Sequence, residues 1–264
     1  AICTNIVKIK ETYKTKEKIM NNSLTEEQVK VLNMSQSVIN EIRKVIIGKD
    51  EIIIKVLLSI LAGGHILIED IPGVGKTTLA VALSKALSLD YKRLQFTPDV
   101  LPTDVTGFTI LNKETHKFEY KQGAALTNLF LADEINRTSS KTQSALLEVM
   151  EEGKVTVDGI THKMPDPYIV IATQNPVGSI GTQMLPESQM DRFIVRLTMG
   201  YPNIKSEVAM LKSKQNLVPV DNVRPVVSAE DILQARKVVE NIYVSDQVFQ
   251  YIVMLANATR NNEY

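Results

Sequence analysis

Residues 65–78 read His-Ile-Leu-Ile-Glu-Asp-Ile-Pro-Gly-Val-Gly-Lys-Thr-Thr, and this stretch decides the fold. It begins with an apolar run typical of a parallel strand that is buried on both faces, and the two glycines after it indicate a turn. Beyond the turn, small and apolar residues recur at helical spacing: Leu79, Ala80, Leu83, Ala86 and Leu87. The pattern therefore predicts a strand, a glycine-rich loop and a helix that begins near Lys76.

The glycine-rich loop predicts a phosphate-binding site. Its candidate nucleotide-binding residues are Pro72, Gly73, Val74, Gly75, Lys76, Thr77 and Thr78. Glycines allow backbone N–H groups to point inward, and the N-terminus of the following helix adds partial positive charge. Lys76 is expected to reach phosphate oxygens, and Thr77 to offer its hydroxyl to Mg²⁺. The full loop pattern has glycine where this chain has Asp70, and the alternative interpretation is a flexible loop without a ligand.

Two further apolar segments end in polar residues. Residues 128–134 end in Asp133 and Glu134, and residues 168–176 end in Asn175 and a proline. Ligands of open α/β sheets bind at the carboxyl ends of the strands, so these side chains are expected to meet the phosphate loop. Asp133 is predicted to hold Mg²⁺, Glu134 to activate the attacking water, and Asn175 to contact the γ-phosphate or that water. The alternatives are an ordinary solvated loop and an Asn-Pro turn.

Six segments together resemble the MoxR family of AAA+ ATPases. They are residues 69–77, 96–107, 132–138, 141–152, 172–176 and 185–193. The resemblance is dense from Ile47 to Pro202, and the family tolerates a residue other than glycine at Asp70. It implies an α/β P-loop core with a five-stranded parallel sheet flanked by helices. It also implies ATP and Mg²⁺ as cofactors, and a chaperone-like ATPase that remodels or activates partner complexes. The implied partners are further copies in a hexameric ring and a von Willebrand factor A domain protein.

The resemblance also assigns residues outside the phosphate loop. It makes Arg192 the arginine finger that reaches the neighbouring subunit's γ-phosphate, with Arg137 and Arg196 as alternatives. A planar, permanently charged guanidinium suits the spreading negative charge of a phosphoryl transition state. The competing interpretation of Arg192 is a surface ion pair with Asp191 or Glu187.

The resemblance places the segment around Gly48 against the adenine base. Ile46 and Ile47 are apolar enough to sandwich a purine ring, and Gly48 lets the backbone approach the edge of the ring closely. Plain packing between two helices is the alternative for these isoleucines.

Two insertions have the pattern of β-hairpins. Residues 108–111 pair with 117–120, and residues 154–157 pair with 161–164 around Asp158-Gly159, a tight-turn signal. The resemblance implies hairpins that project toward a pore or a client protein. Ordinary surface hairpins are the alternative.

The chain is expected to divide into three parts. Residues 1–22 form a basic extension, with five lysines against two acidic residues in positions 1–19. Residues 23–200 form the nucleotide-binding core, which begins at the capping-box pattern Ser23-Leu-Thr-Glu26. Residues 201–264 form a partial α-helical lid, with helices opened by Ser228 and Ser245, and without the family's second sensor arginine.

Composition bounds the function classes. The chain has 264 residues, of which 44% are hydrophobic, and its 30 basic and 30 acidic residues cancel. That balance argues against nucleic acid or an anionic membrane as the main partner. Cys3 is the only cysteine, and no apolar run reaches the roughly 18 residues of a membrane helix. We therefore expect a cytoplasmic protein without membrane insertion. A magnesium chelatase-like ATPase subunit, a DNA translocator and a nucleotide-gated binding module with little turnover remain alternatives.

Overall fold

The structure is a computed structural model that describes residues 24–175, 185–202, 204–213 and 220–260. Within these ranges, five parallel strands form the central sheet: β1 (His65–Glu69), β2 (Tyr91–Gln95), β5 (Leu129–Asp133), β8 (Ile169–Gln174) and β9 (Phe193–Leu197). Across the sheet the order is β2-β5-β8-β1-β9. The strands β8 and β9 flank β1, so the loop after β1 opens between the carboxyl ends of these two strands. The predicted five-stranded parallel sheet is confirmed.

The central strands are buried on both faces because each side of the sheet carries its own hydrophobic core. Alternate residues of a strand point to opposite faces, so Ile66 and Ile68 join one core and Leu67 joins the other. The first core is covered by α1 (Glu26–Arg43), α2 (Asp50–Leu61), α3 (Lys76–Ala86) and α8 (Ala229–Glu240). On the opposite face, α5 (Ser140–Glu152) contributes Leu146, Leu147, Val149 and Met150.

The remaining helices are short or peripheral. They are α4 (Pro102–Thr106), α6 (Glu187–Met190), α7 (Ile204–Ser213), α9 (Asp246–Arg260) and the 3₁₀ turns Ile135–Arg137 and Val220–Asn222. Apolar residues of α9 such as Phe249 and Ile252 are more than half exposed. Among the described helices, none is long and apolar enough to cross a membrane.

Helix caps follow the sequence signals with one correction. Ser228 caps α8, because its hydroxyl accepts the N–H of Asp231 while the Asp231 carboxylate accepts the N–H of Ser228. The capping box predicted for residues 23–26 was wrong in position. The box is formed by Thr25 and Gln28, whose side chains accept each other's backbone N–H groups at 3.2 and 3.0 Å. Helix α1 therefore begins at Glu26.

Both predicted hairpins are confirmed. The first consists of β3 (Gly107–Asn112) and β4 (Lys117–Gln122), and the second of β6 (Lys154–Val157) and β7 (Ile160–Lys163). The ring of Tyr120 in the first hairpin stacks on His162 in the second, with centroids 3.8 Å apart and an interplanar angle of 14°. The two hairpins are therefore in direct contact. The predicted basic extension lies outside the described residues, and the domain boundaries stay predictions.

Candidate nucleotide-binding site

The loop between β1 and α3 forms one wall of a cavity of about 330 Å³ at the carboxyl edge of the sheet. Its lining consists of Pro72, Gly73, Gly75, Lys76, Thr77, Thr78, Arg93, Gln95, Asp133 and Glu134. Gly73 and Gly75 have φ angles of 87° and 97°, a backbone conformation that L-residues avoid. Gly75 is also the N-cap of α3, so the two glycines let the chain turn from the strand into the helix. The structure thus brings most of the predicted loop residues together around one cavity.

Lys76 is buried at the start of α3, and its ammonium group donates to the main-chain oxygen of Asp70 at 2.6 Å. Burial lowers the pKa of Lys76 below its ordinary value, while the nearby charges of Asp133, Asp70 and Glu134 oppose that shift. Among the described residues, no ion pair includes Lys76, so its ammonium group is positioned at the cavity to bind an anion.

Asp133 is held by two neighbours at the end of β5. One carboxylate oxygen accepts the hydroxyl of Thr173, and the other accepts Nε and Nη2 of Arg93 at 3.1 and 2.7 Å. Arg93 lies on β2, the neighbouring strand, where Arg93 pairs with Leu131 in the sheet register. These contacts orient the carboxylate of Asp133 at the rim of the cavity.

Glu134 has a left-handed backbone, with φ 59° and ψ 47°, and its N–H donates to the Thr173 hydroxyl at 2.9 Å. Its carboxylate accepts Asn175 Nδ2 at 3.2 Å, Gln95 Nε2 at 3.1 Å and Arg137 Nη1 at 2.8 Å. Burial raises the pKa of Glu134, but the hydrogen bonds from Arg137, Gln95 and Asn175 outweigh it, and the net pKa is lowered. Glu134 is therefore an ionised acceptor at neutral pH.

Asn175 lies just beyond β8 and is buried next to Glu134. Its backbone is held by Asn136, whose side-chain oxygen accepts the Asn175 N–H at 3.3 Å and whose Nδ2 donates to the Asn175 carbonyl at 3.1 Å. The Asn175 side-chain oxygen is buried and has no hydrogen-bond partner within the described part of the chain. The amide is thus locked in place with an acceptor still unused.

Several predicted residues lie outside the cavity lining, and Asn175 borders it only through its contact with Glu134. Val74 packs against the first hydrophobic core, which also contains Ile66 and Ile68. Gly48, with φ 75°, lies so close to Ser206 that an added Cβ would come 2.1 Å from the Ser206 hydroxyl oxygen. Ile46 is buried in the core, as the packing alternative predicts. The adenine contact of this segment stays a prediction.

Arg192 is also outside the cavity. Its Nε and Nη2 donate to a carboxylate oxygen of Glu151 at 2.8 and 2.7 Å, and Nη1 donates to the Ser188 carbonyl at 3.2 Å. An ion pair is present, but its partner on α5 differs from both neighbours suggested by the sequence.

The two alternative arginines have cis partners. Arg137 donates to Glu134, as described above, and Arg196 donates through Nε to Glu69 at 2.6 Å. Both arginines therefore pair with acidic residues of the same chain, at the ends of β5 and β1.

Comparisons with known proteins agree with this geometry. The model of the "ATPase family associated with various cellular activities (AAA)" matches residues 65–195. The chain is 49% identical to the uncharacterized protein YeaC of Bacillus subtilis, over 85% of this chain and 70% of YeaC. It is 37% identical to Chaperone MoxR1 of Mycobacterium tuberculosis, over 84% of this chain and 59% of that protein. The chain belongs to the MoxR family of AAA+ ATPases.

A solved structure supports the MoxR-family fold as well. The crystal structure of a putative ATPase from Cytophaga hutchinsonii superposes with a TM-score of 0.80 at 40% sequence identity. The match covers 89% of this chain and 71% of that protein. The chain therefore spans between about three fifths and about seven tenths of the length of these relatives.

Four side chains of this MoxR-family site were missed from the sequence: Arg93, Gln95, Asn136 and Thr173. Each touches Asp133, Glu134 or Asn175 through a hydrogen bond. Arg93 and Gln95 alternate on β2, so strand periodicity would have placed both on one face. Only the order of strands brings that face next to the end of β5.

Proposed function

We propose that the chain binds ATP with Mg²⁺ and hydrolyses it to ADP and phosphate. The observation that carries this proposal is the convergence of Lys76, Asp133 and Glu134 on one cavity at the carboxyl edge of the sheet. Membership of an AAA+ ATPase family supports it at the level of the family. Phosphate oxygens would be held by the backbone N–H groups of the loop and by Lys76.

The residues proposed for Mg²⁺ fit that ion. Thr77 and Asp133 both border the cavity, and their hydroxyl and carboxylate oxygens are the hard ligands that Mg²⁺ prefers. Bound there, Mg²⁺ would neutralise negative charge on the phosphate oxygens.

Glu134 is the proposed general base. Its lowered pKa keeps the carboxylate ionised, and three donors fix its direction. It would accept a proton from water as the water oxygen bonds to the γ-phosphorus and the bond from that phosphorus to the ADP oxygen breaks. Asn175 would orient the water or the γ-phosphate with the amide oxygen that is unused in this structure.

Hydrolysis is proposed to require a neighbouring subunit. Arg192 lies outside the cavity of its own chain, so it would act on the γ-phosphate of the next subunit in a homo-oligomeric, hexameric ring. One relative is named Chaperone MoxR1, which supports a role in remodelling protein complexes. We propose a von Willebrand factor A domain protein as the partner in this role. The two hairpins, which contact each other through Tyr120 and His162, would face the client protein.

The test is ATP hydrolysis across a wide range of protein concentration, for the wild type, Glu134→Gln and Arg192→Ala. We expect the specific rate to rise with concentration, and Glu134→Gln to lower it by about 10² to 10⁴ while ATP binding by calorimetry persists. A wild type that binds ATP but turns over no faster than Glu134→Gln at any concentration would contradict the proposal and indicate a nucleotide-gated binding module.

A further inference from the structure

Asp70 stands at the first position of the phosphate loop, and its carboxylate is buried with only 6% of the residue exposed. One carboxylate oxygen accepts the N–H of Ile71 at 2.8 Å. The other accepts the N–H of Gly200, which lies 130 residues further along the chain. The start of the phosphate loop is therefore tied directly to the segment that leaves β9.

The backbone at the start of the loop does not require glycine, because Asp70 is not among the residues with left-handed backbone. A buried carboxylate is costly unless it is paired, and among the described residues none of the ion pairs includes Asp70. Its two N–H partners compensate for this burial, and one of them is outside the loop.

Gly200 is held from a second side. Lys49 donates through its ammonium group to the carbonyl of Gly200 at 2.8 Å and to the carbonyl of Met199. Gly200 has φ 60°, and it marks the point where the chain turns away from the sheet toward α7. On α7, Ser206 packs closely against Gly48, the neighbour of Lys49. The connection from β9 to α7 is thus fastened between the phosphate loop and the segment that precedes α2.

The same Asp70 contacts the phosphate-binding lysine. Lys76 donates to the main-chain oxygen of Asp70 at 2.6 Å, while the Asp70 side chain accepts from Gly200. A continuous series of hydrogen bonds therefore runs from Lys76 through Asp70 and Gly200 to Lys49. If Lys76 turns toward phosphate oxygens, the Asp70 carbonyl would lose this charged donor while its carboxylate still accepts from Gly200.

We infer that Asp70 is a coupling residue that transmits nucleotide binding from the phosphate loop to residues 199–202 and to α7. This inference rests on the proposed binding of ATP, but it requires neither hydrolysis nor a ring.

The test is hydrogen–deuterium exchange of residues 199–213, with and without Mg²⁺ and the non-hydrolysable analogue AMP-PNP, at saturating concentrations. In the wild type, we expect the analogue to change exchange in this segment about fivefold or more. Asp70→Gly restores the usual loop residue, and Asp70→Asn keeps the shape of the side chain but can accept only one of the two N–H groups. In both variants we expect AMP-PNP to bind. The change in exchange of residues 199–213 should disappear or shrink.

Glu41→Gln is the matched control. Glu41 is another buried carboxylate, also 6% exposed, and its partners are the N–H of Arg224 at 3.0 Å and the side chain of Lys44, neither of which belongs to the phosphate loop. We expect Glu41→Gln to retain the wild-type response to AMP-PNP. The inference is overturned if both Asp70 variants respond like the wild type, if both lose AMP-PNP binding, or if Glu41→Gln loses the response as well. A wild type that does not bind AMP-PNP would instead refute the proposed function.

Discussion

Glu134 occupies a backbone conformation that costs an L-residue about 1 to 3 kcal/mol, and surrounding contacts must hold it there. Thr173 supplies the main one, since its hydroxyl accepts the Glu134 N–H and donates to Asp133. One fully buried hydroxyl on β8 therefore positions both proposed acidic residues.

Thr173→Val is expected to lower the free energy of unfolding by about 1 to 3 kcal/mol, because it leaves a buried N–H and a carboxylate oxygen without their partner. It should also lower kcat of ATP hydrolysis by more than it raises KM, because Glu134 and Asp133 lose their orientation. Urea denaturation and steady-state kinetics measure the two effects.

Thr142→Val serves as the control for that substitution. Thr142 is also fully buried, and its hydroxyl donates to the carbonyl of Val100 at 2.9 Å, outside the cavity lining. A similar loss of stability with unchanged kcat is expected. Equal effects of both variants on kcat would show that Thr173 acts only through stability.

The protonation state of His65 affects the free energy of unfolding. Its Nδ1 accepts the N–H of Val170 at 3.0 Å, so the hydrogen resides on Nε2, which lies 3.1 Å from the Met150 carbonyl. Burial lowers the pKa of His65, the bond to Met150 opposes the shift, and the charge of Arg236 adds to it. Protonation would break the bond to Val170, so the folded state favours the neutral ring.

The sign of the resulting pH dependence follows from the lowered pKa. The unfolded chain binds a proton near pH 6.5, and the folded chain binds it only at lower pH. Stability from His65 is therefore fully present above about pH 6.5 and declines below it, by at most about 1.4 kcal/mol per pH unit.

Replacing His65 by Gln removes that titration. The difference in unfolding free energy between the wild type and His65→Gln should be larger at pH 7.5 than at pH 5.5. Chemical denaturation at both pH values measures this difference. The titration of carboxylates affects both proteins equally, so its contribution to the unfolding free energy cancels in the comparison. A difference that is constant, or larger at pH 5.5, would contradict the assignment.

At the scale of elements, the two hairpins are expected to behave as one unit because Tyr120 stacks on His162. Tyr120 also donates its hydroxyl to the Thr106 carbonyl, which anchors the first hairpin to the end of α4. Movement of either hairpin would therefore be transmitted to the other.

A double-mutant cycle tests this contact. Tyr120→Leu and His162→Leu should be coupled by about 0.5 to 1.5 kcal/mol in the free energy of unfolding, the range of stacked aromatic pairs. Tyr120→Phe is the control, since it removes the hydroxyl bond to Thr106 and keeps the ring, so its coupling to His162→Leu should match that of the wild-type ring. Additive effects of the two leucine substitutions would mean that the hairpins move independently.

At the scale of the whole molecule, the position of Arg192 outside its own cavity predicts composite active sites. Glu134→Gln subunits retain the arginine and lack the base, whereas Arg192→Ala subunits retain the base and lack the arginine. Each variant alone should be inactive. Mixed at equal concentration, they should recover ATP hydrolysis, because about a quarter of the interfaces in a randomly mixed ring combine an intact base with an intact arginine.

ATP hydrolysis by the mixture, compared with each variant alone, decides the point. The double variant that carries both substitutions is the control. When it is mixed with either single variant, the rate of ATP hydrolysis should not exceed the rate of that single variant alone. Absence of recovery in the mixture, with both single variants assembled, would place the action of Arg192 within its own subunit.

Three of the five core strands (β1, β5 and β8), the phosphate loop, the two hairpins and the cap of α8 were predictable because their signals are local. Strand and helix periodicities, the need for glycine at Gly73 and Gly75, and the tight turn at Asp158 are set by a few neighbouring residues. The ends of parallel strands meet at one edge, so Asp133 and Glu134 were also correctly expected beside the loop.

The sequence by itself therefore determined most of the residues that line the cavity and the elements that carry them. Only the tertiary structure decided that Arg93 and Thr173 orient Asp133, that Arg192 pairs with Glu151, and that Asp70 holds Gly200. These partners lie between 40 and 130 residues apart in the chain. Whether such groups meet depends on strand order, register and the packing of helices on the sheet, which arise from the whole core and leave no local pattern in the sequence.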